Sequence, residues 1–313
     1  MMDRKLVLFF IDGVGLGDDD ESNPIRGLFA PLLCDGGLVR RDVPLRCTGA
    51  VVVPTDAVMG VAGTPQSATG QASIFTGINA QRFLGLHLPA FPNDRLAALV
   101  HERSLMRVLR ERGVGVTSAN LYSQEFFQKR QSARRNLFPV STLTIRASGV
   151  PFRYPEDYRA GKAVFADITN ELLRSRGVDV PLSTPEESAV RMARIVAEND
   201  FVFFEYFMTD LHGHRRDREA ILSCVDILNR FAARLWQLVR GDSTALLVVS
   251  DHGNAEDMVL GDHTMNQVPT ILIGGTPQDR ESFARRVRDL SDVYRAVLGY
   301  FGVERPADGP ELA

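Results

Sequence analysis

An α/β fold, with a doubly wound, mostly parallel sheet and helices on both faces, follows from two patterns in the sequence. Short unbroken apolar runs recur along the chain, and amphipathic stretches near a 3.6-residue period separate them. A strand covered on both faces needs no polar alternation, so it reads as a near-continuous apolar segment. The first such run is Leu6–Ile11, closed by Asp12-Gly13. Val114–Ala119, Phe201–Phe207, Ala245–Val249 and Val268–Ile273 read in the same way.

Helical patterns lie between these runs. Over Asp94–Arg112 the apolar residues Leu96, Leu99, Val100, Leu105, Val108 and Leu109 fall on one face, and the pattern stops before Gly113. Thr184-Pro-Glu-Glu187 joins a side-chain cap to a proline at the first helical position, which predicts a helix reaching to near Glu198. Asp217–Arg240 and Leu290–Phe301 complete the set. Residues 121–182 carry Pro139, Gly149, Pro151, Pro155 and Gly161 and little periodicity. They read as an irregular insertion over the sheet's edge, a small cover within a single domain of residues 1–313.

With 313 residues, 44% of them hydrophobic and 24% charged, the chain can bury a sizeable core without covalent staples. The net charge is -3 and no long basic run occurs, which argues against a nucleic-acid partner; the densest basic stretch, Lys129-Arg130 with Arg134-Arg135, reads equally well as a solvated helix face. Cys34, Cys47 and Cys224 are odd in number and irregular in spacing, as expected of free thiols in a reducing compartment. No secretory pattern opens the chain, and no apolar stretch approaches a membrane span. A soluble cytoplasmic protein without a membrane partner is expected. Oligomeric state leaves no mark in the sequence.

In open α/β sheets ligands gather beyond the carboxyl ends of the strands. The polar residues that follow the predicted strands are Asp12, Asp210 and the pair Asp251-His252. Carboxylates converging there repel one another unless cations join them. Each residue alone has an ordinary reading: an aspartate after a strand is a turn or cap residue, and Asp210-x-x-x-His214 is a surface pair one helical turn apart. Of the six histidines, His214, His252 and His263 fall in acidic surroundings near strand ends. His101 lies inside a helical pattern, His212 reads as a turn residue, and His87 is a looser candidate for a pocket rim. Ser67 stands among small residues at the start of a short helix ending at Gly77. A hydroxyl there is a plain cap or, beside metal ions, a nucleophile in the positive field of the helix N-terminus.

The order Asp12-Gly13, Ser67-x-x-Gly70, Asp210-x-x-x-His214, Ser250-Asp-His-Gly-Asn254 and His263-Thr264 followed by Val268-Pro269 resembles the alkaline-phosphatase superfamily. It is most similar to the branch holding cofactor-independent phosphoglycerate mutase and phosphopentomutase. The resemblance covers residues 4–80 and 200–275. It implies an alkaline-phosphatase-like sheet and two divalent metal ions, zinc or manganese. Asp210, His214 and His263 would hold the first; Asp12, Asp251, His252 and the Ser67 oxygen would hold the second. It further implies phosphoryl transfer from a small phosphorylated substrate through a phosphoserine at Ser67. Two dications against three aspartates leave a cationic site that suits a phosphate ester.

Relatives in that branch resemble two-domain proteins with a substantial cap, whereas only residues 121–182 remain for an insertion here. A mutase keeps its phosphorylated intermediate dry, so a small cover points to a phosphomonoesterase. A phosphomutase, a phosphodiesterase or phosphonate hydrolase, and a catalytically inactive metal-binding regulatory module stay open as alternatives. Gln71 stands where such mutases often carry histidine. Arg82, Lys129 and Arg130 are candidate phosphate partners that no spacing singles out.

Overall fold

The computed structural model describes residues 4–34, 36–131 and 138–304. Among these, seven strands form one mixed sheet: β1 Lys5–Ile11, β2 Leu45–Cys47, β3 Ala50–Thr55, β4 Val116–Ser118, β5 Phe201–Tyr206, β6 Thr244–Val249 and β7 Val268–Gly274. Their spatial order is β2-β3-β7-β6-β1-β5-β4. β6, β1, β5 and β4 run parallel, and all five predicted apolar runs are strands, with Val114–Ala119 trimmed to three residues. The other half of the sheet alternates: β7 is antiparallel to β6, β3 to β7 and β2 to β3. Parallel pairing of β6, β1 and β5 brings their carboxyl ends to one edge. That edge carries Asp251-His252, Asp12 and Asp210.

Helices cover both faces. They include α1 Ser67–Thr76, α2 Asp94–Arg103, α3 Leu105–Glu111, α4 Val140–Ser148, α5 Pro185–Glu198, α6 Met208–His214, α7 Arg218–Val239 and α8 Leu290–Tyr300. Side chains alternate across β1, so Leu6, Leu8 and Phe10 join one core with α1–α4 and α8, while Val7, Phe9 and Ile11 join the other with α5 and α7. Phe75 of α1 meets Phe10 and Phe203 edge-on, with ring centroids 5.9 and 5.3 Å apart. This wedge anchors the helix that begins at Ser67 to the strands beside it.

The single helix expected over Asp94–Arg112 is two helices. Ser104 breaks it: its hydroxyl donates to Thr144 O at 2.9 Å and accepts from Arg107 N at 3.3 Å, capping α3. Within residues 121–182, α4 is packed into the core through Val140 and Ile145. Tyr122 and Val150 join the same core, and Leu121, Tyr158, Ala163, Phe165, Leu173 and Val180 form a small cluster of their own. No helix among the described residues is long and apolar enough to cross a membrane.

Candidate metal centre

Two ligand clusters meet at the carboxyl edge. In the first, α6 presents Asp210 and His214 one turn apart, and the loop before β7 brings His263. His214 Nε2 lies 3.1 Å from His263 Nε2 and 3.5 Å from Asp210 Oδ2; His263 Nε2 lies 3.6 Å from Asp210 Oδ1. His263 Nδ1 donates to Pro65 O at 2.9 Å, which leaves the Nε2 lone pair facing the other two residues.

The second cluster converges on His252 Nε2. Ser67 Oγ is 3.0 Å away, Asp12 Oδ1 3.3 Å and Asp251 Oδ2 3.5 Å. The His252 and His263 rings stack with centroids 3.6 Å apart, which locks the clusters side by side. Asp210 belongs to both: its ligand atoms lie within 4.8 Å of those of His214 and His263, and likewise of those of Asp12 and His252.

These spacings fit metal ions. Donors on a tetrahedral ion with bonds of 2.0–2.1 Å stand about 3.3 Å apart. The buried Asp12 Oδ1 makes no hydrogen bond, an orphan lone pair that a cation would satisfy. The electrostatics agree. Burial, reinforced by the Asp251 and Asp210 charges, pushes the Asp12 carboxyl up to about 8. Asp251 is also raised, mainly by burial. Burial alone would lower His252, but the Asp251, Asp12 and Asp210 carboxylates outweigh it and push the imidazole up to about 10. Burial would raise Asp210, yet the His263 bond, the His252 charge and the Asn254 bond hold it down to about 2. Negative charge is crowded here, and histidines with the Gln71 and Asn254 amides are what oppose it among the groups that shift these carboxyls.

All seven residues expected in the site are thus brought together. The structure adds residues to which the sequence assigned no part in the site. Gln71 Nε2 donates to Asp251 Oδ2 at 3.1 Å, Asn254 Nδ2 donates to Asp210 Oδ1 at 2.7 Å, and Thr209 Oγ1 donates to Asp12 O. Gly70 lets α1 pass close to the Asp251 backbone, since a Cβ there would stand 2.6 Å from Asp251 O. Asn254 was visible within its motif; nothing local marked Thr209. The remaining candidates fall outside both clusters. His212 lies on α6 but joins neither group, His87 Nε2 bonds Val61 O at 3.0 Å, and His101 is an exposed residue of α2. Arg82 and Lys129 are exposed, Arg130 stacks over Phe126 at 3.8 Å, and Arg134-Arg135 lie outside the described residues.

The Metalloenzyme superfamily matches residues 163–305. A 2,3-bisphosphoglycerate-independent phosphoglycerate mutase of Thermomicrobium roseum is 31% identical over 136 residues, 41% of this chain and 26% of that protein. The Desulforudis audaxviator mutase of the same name is 30% identical over 134 residues, again 26% of its length. The chain spans about a quarter of the length of these curated relatives. Among solved structures, the PH0037 protein of Pyrococcus horikoshii superposes with a TM-score of 0.60 at 13% identity, covering 99% of this chain and 100% of that one. Thermus thermophilus alkaline phosphatase superposes with a TM-score of 0.54 at 14% identity, covering 96% and 92%.

Proposed function

We propose that this chain, matched over residues 163–305 by the Metalloenzyme superfamily and folded as alkaline phosphatases are, is a two-metal phosphoryl-transfer enzyme and a phosphomonoesterase. Ser67, the first residue of α1 and 3.0 Å from His252 in the midst of the ligand clusters, carries this reading. Asp210, His214 and His263 would hold one ion, and Asp12, Asp251, His252 and the Ser67 oxygen the other. The mixed imidazole and carboxylate set suits zinc or manganese. When bound, such ions supply positive charge for phosphate oxygens and favour the ionised form of the serine hydroxyl.

The chain's own residues do the rest. Phe75 anchors α1 against β1 and β5, and so fixes Ser67 Oγ 3.0 Å from His252 Nε2. Gln66 makes no side-chain cap, so the first N–H groups of α1 are left to bind phosphate oxygens. The His214 side chain is 43% exposed, which supports a centre open to water. A phosphoserine at Ser67 would therefore be hydrolysed. The substrate is a small phosphate ester. The mutase relatives favour a second reading, transfer back to the same substrate, in which residues 121–182 act as a reduced cap of a single domain. The three free cysteines support a cytoplasmic setting.

The test joins elemental analysis to a screen of phosphomonoesters, phosphodiesters, phosphonates and sugar phosphates with zinc or manganese. Two ions per chain and release of inorganic phosphate from monoesters are expected. Ser67→Ala should lower turnover by at least about 10³-fold while keeping its metal. Isomerised sugar phosphate without free phosphate would select the mutase, and turnover surviving in Ser67→Ala would remove the nucleophile. Metal without turnover on any substrate would make the protein an inactive module.

A further inference from the structure

We propose that Glu256 is a positioning residue of the metal centre, whose carboxylate draws three ligand-bearing loops together and sets the spacing of their ligands. This rests on the metal reading above and goes beyond it. Glu256 is buried, 1% exposed, and touches none of the seven ligand residues through its carboxylate hydrogen bonds. Its Oε2 accepts from Gly15 N at 2.9 Å and from Asn254 N at 2.8 Å. Its Oε1 accepts from Thr264 Oγ1 and from Asn266 Nδ2 at 3.1 Å.

Those four donors come from different parts of the centre. Gly15 follows Asp12 in the loop after β1. Asn254 follows Asp251-His252 in the loop after β6, and its side chain holds Asp210. Thr264 is joined directly to His263. One carboxylate thereby connects the backbone or partner of five ligands: Asp12, Asp210, Asp251, His252 and His263. The fit is close, because a Cβ on either Gly15 or Gly253 would stand 2.1 Å from Glu256 Oε1. Four donors aimed at two oxygens use the acceptor capacity of this carboxyl on both sides. Without it, two backbone N–H groups beneath the ligands lose their partner, and the loops relax away from the spacing the donors now hold.

The test is zinc affinity of the purified full chain, measured by competition with a chromophoric chelator, beside thermal melts of the metal-free forms. Glu256→Ala should bind zinc about 10–100-fold more weakly. Glu256→Gln should recover most of that loss, since its amide oxygen can accept both backbone N–H groups and the Thr264 hydroxyl can rotate to accept from its NH2. Val293→Ala, a cavity variant in α8 outside the centre, should lose melting temperature without losing zinc affinity. Should Glu256→Ala fail to fold, Thr264→Val removes one donor and should still weaken binding severalfold. Wild-type affinity in the Glu256→Ala or Thr264→Val protein overturns the proposal, as does an equal loss in Val293→Ala. A wild-type chain that binds neither zinc nor manganese overturns the metal reading beneath it.

Discussion

The two candidate ligand clusters adjoin each other but belong to different environments. The Asp251 and His252 side chains are fully buried, whereas His214 is 43% exposed and Asp210 18%. The buried cluster lies on the continuations of β1 and β6, beneath α1, where folding forces its charges together. The outer cluster hangs on α6 and a loop, and its outermost residue, His214, faces solvent. One is assembled as part of the core, and the other is attached to it. The difference separates what the centre costs the fold from what it offers to a ligand.

Deleting one histidine from each side should separate the two environments most strongly. In the metal-free protein, His252→Ala leaves Asp12 and Asp251 facing each other without their buried partner. Urea denaturation should register a loss of about 3–5 kcal/mol, the usual consequence of breaking a buried charge pair. His214→Ala removes a half-exposed side chain and should cost less than about 1 kcal/mol, although one ion should be missing by elemental analysis. Equal losses of stability would erase the distinction.

Metal exchange offers a subtler contrast. A chelator should strip the loaded protein in two phases, because the outer ion is reached without local unfolding and the inner one is not. His214→Ala should remove the fast phase alone. A single phase in the wild type, accelerated throughout by the variant, would mean that the clusters open together.

The same division governs what the sequence discloses. Asp12, Asp210 and Asp251-His252 come within four residues of the ends of apolar strands, and parallel pairing converts that shared position into proximity. Their convergence was therefore legible without knowing any long-range contact. The break between α2 and α3 was not: both helices bury one continuous apolar face, and Ser104 interrupts it by bonding to Thr144, forty residues on. β3 passed unread; in the sheet its Pro54 stands opposite Pro269, where neither residue has a donor to offer. Helix α4 looks polar, yet Ser141, Thr142, Thr144 and Ser148 are all buried in it. Ser141 meets Glu205 there, and Ser148 bonds Ile145 O. Glu256 is the extreme case, an acidic residue whose partners arrive from three loops. Chemistry written at strand ends can be read locally, whereas support drawn from several segments exists only in the fold.

The smallest effect asks how far the buried half extends. Glu205, on β5 opposite Phe10, accepts from Ser141 Oγ at 2.8 Å, and Ser141 N donates to Gln71, which in turn holds Asp251. Burial raises the Glu205 carboxyl from 4.5 to about 7, against the Ser141 bond and with help from the Asp12 charge. Between those two values the unfolded chain has released a proton that the folded protein still holds. Stability therefore falls as pH rises through this window and stays reduced above it. Glu205→Gln keeps an acceptor for Ser141 but cannot ionise. It should gain on the order of 1 kcal/mol over the parent at pH 8, and the gain should shrink towards zero as the pH approaches 4.5. Urea melts of the metal-free proteins across that range make the comparison. A gain independent of pH would show that the strained charge ends at Asp12, Asp251 and His252, and that α4 packs on an ordinary polar residue.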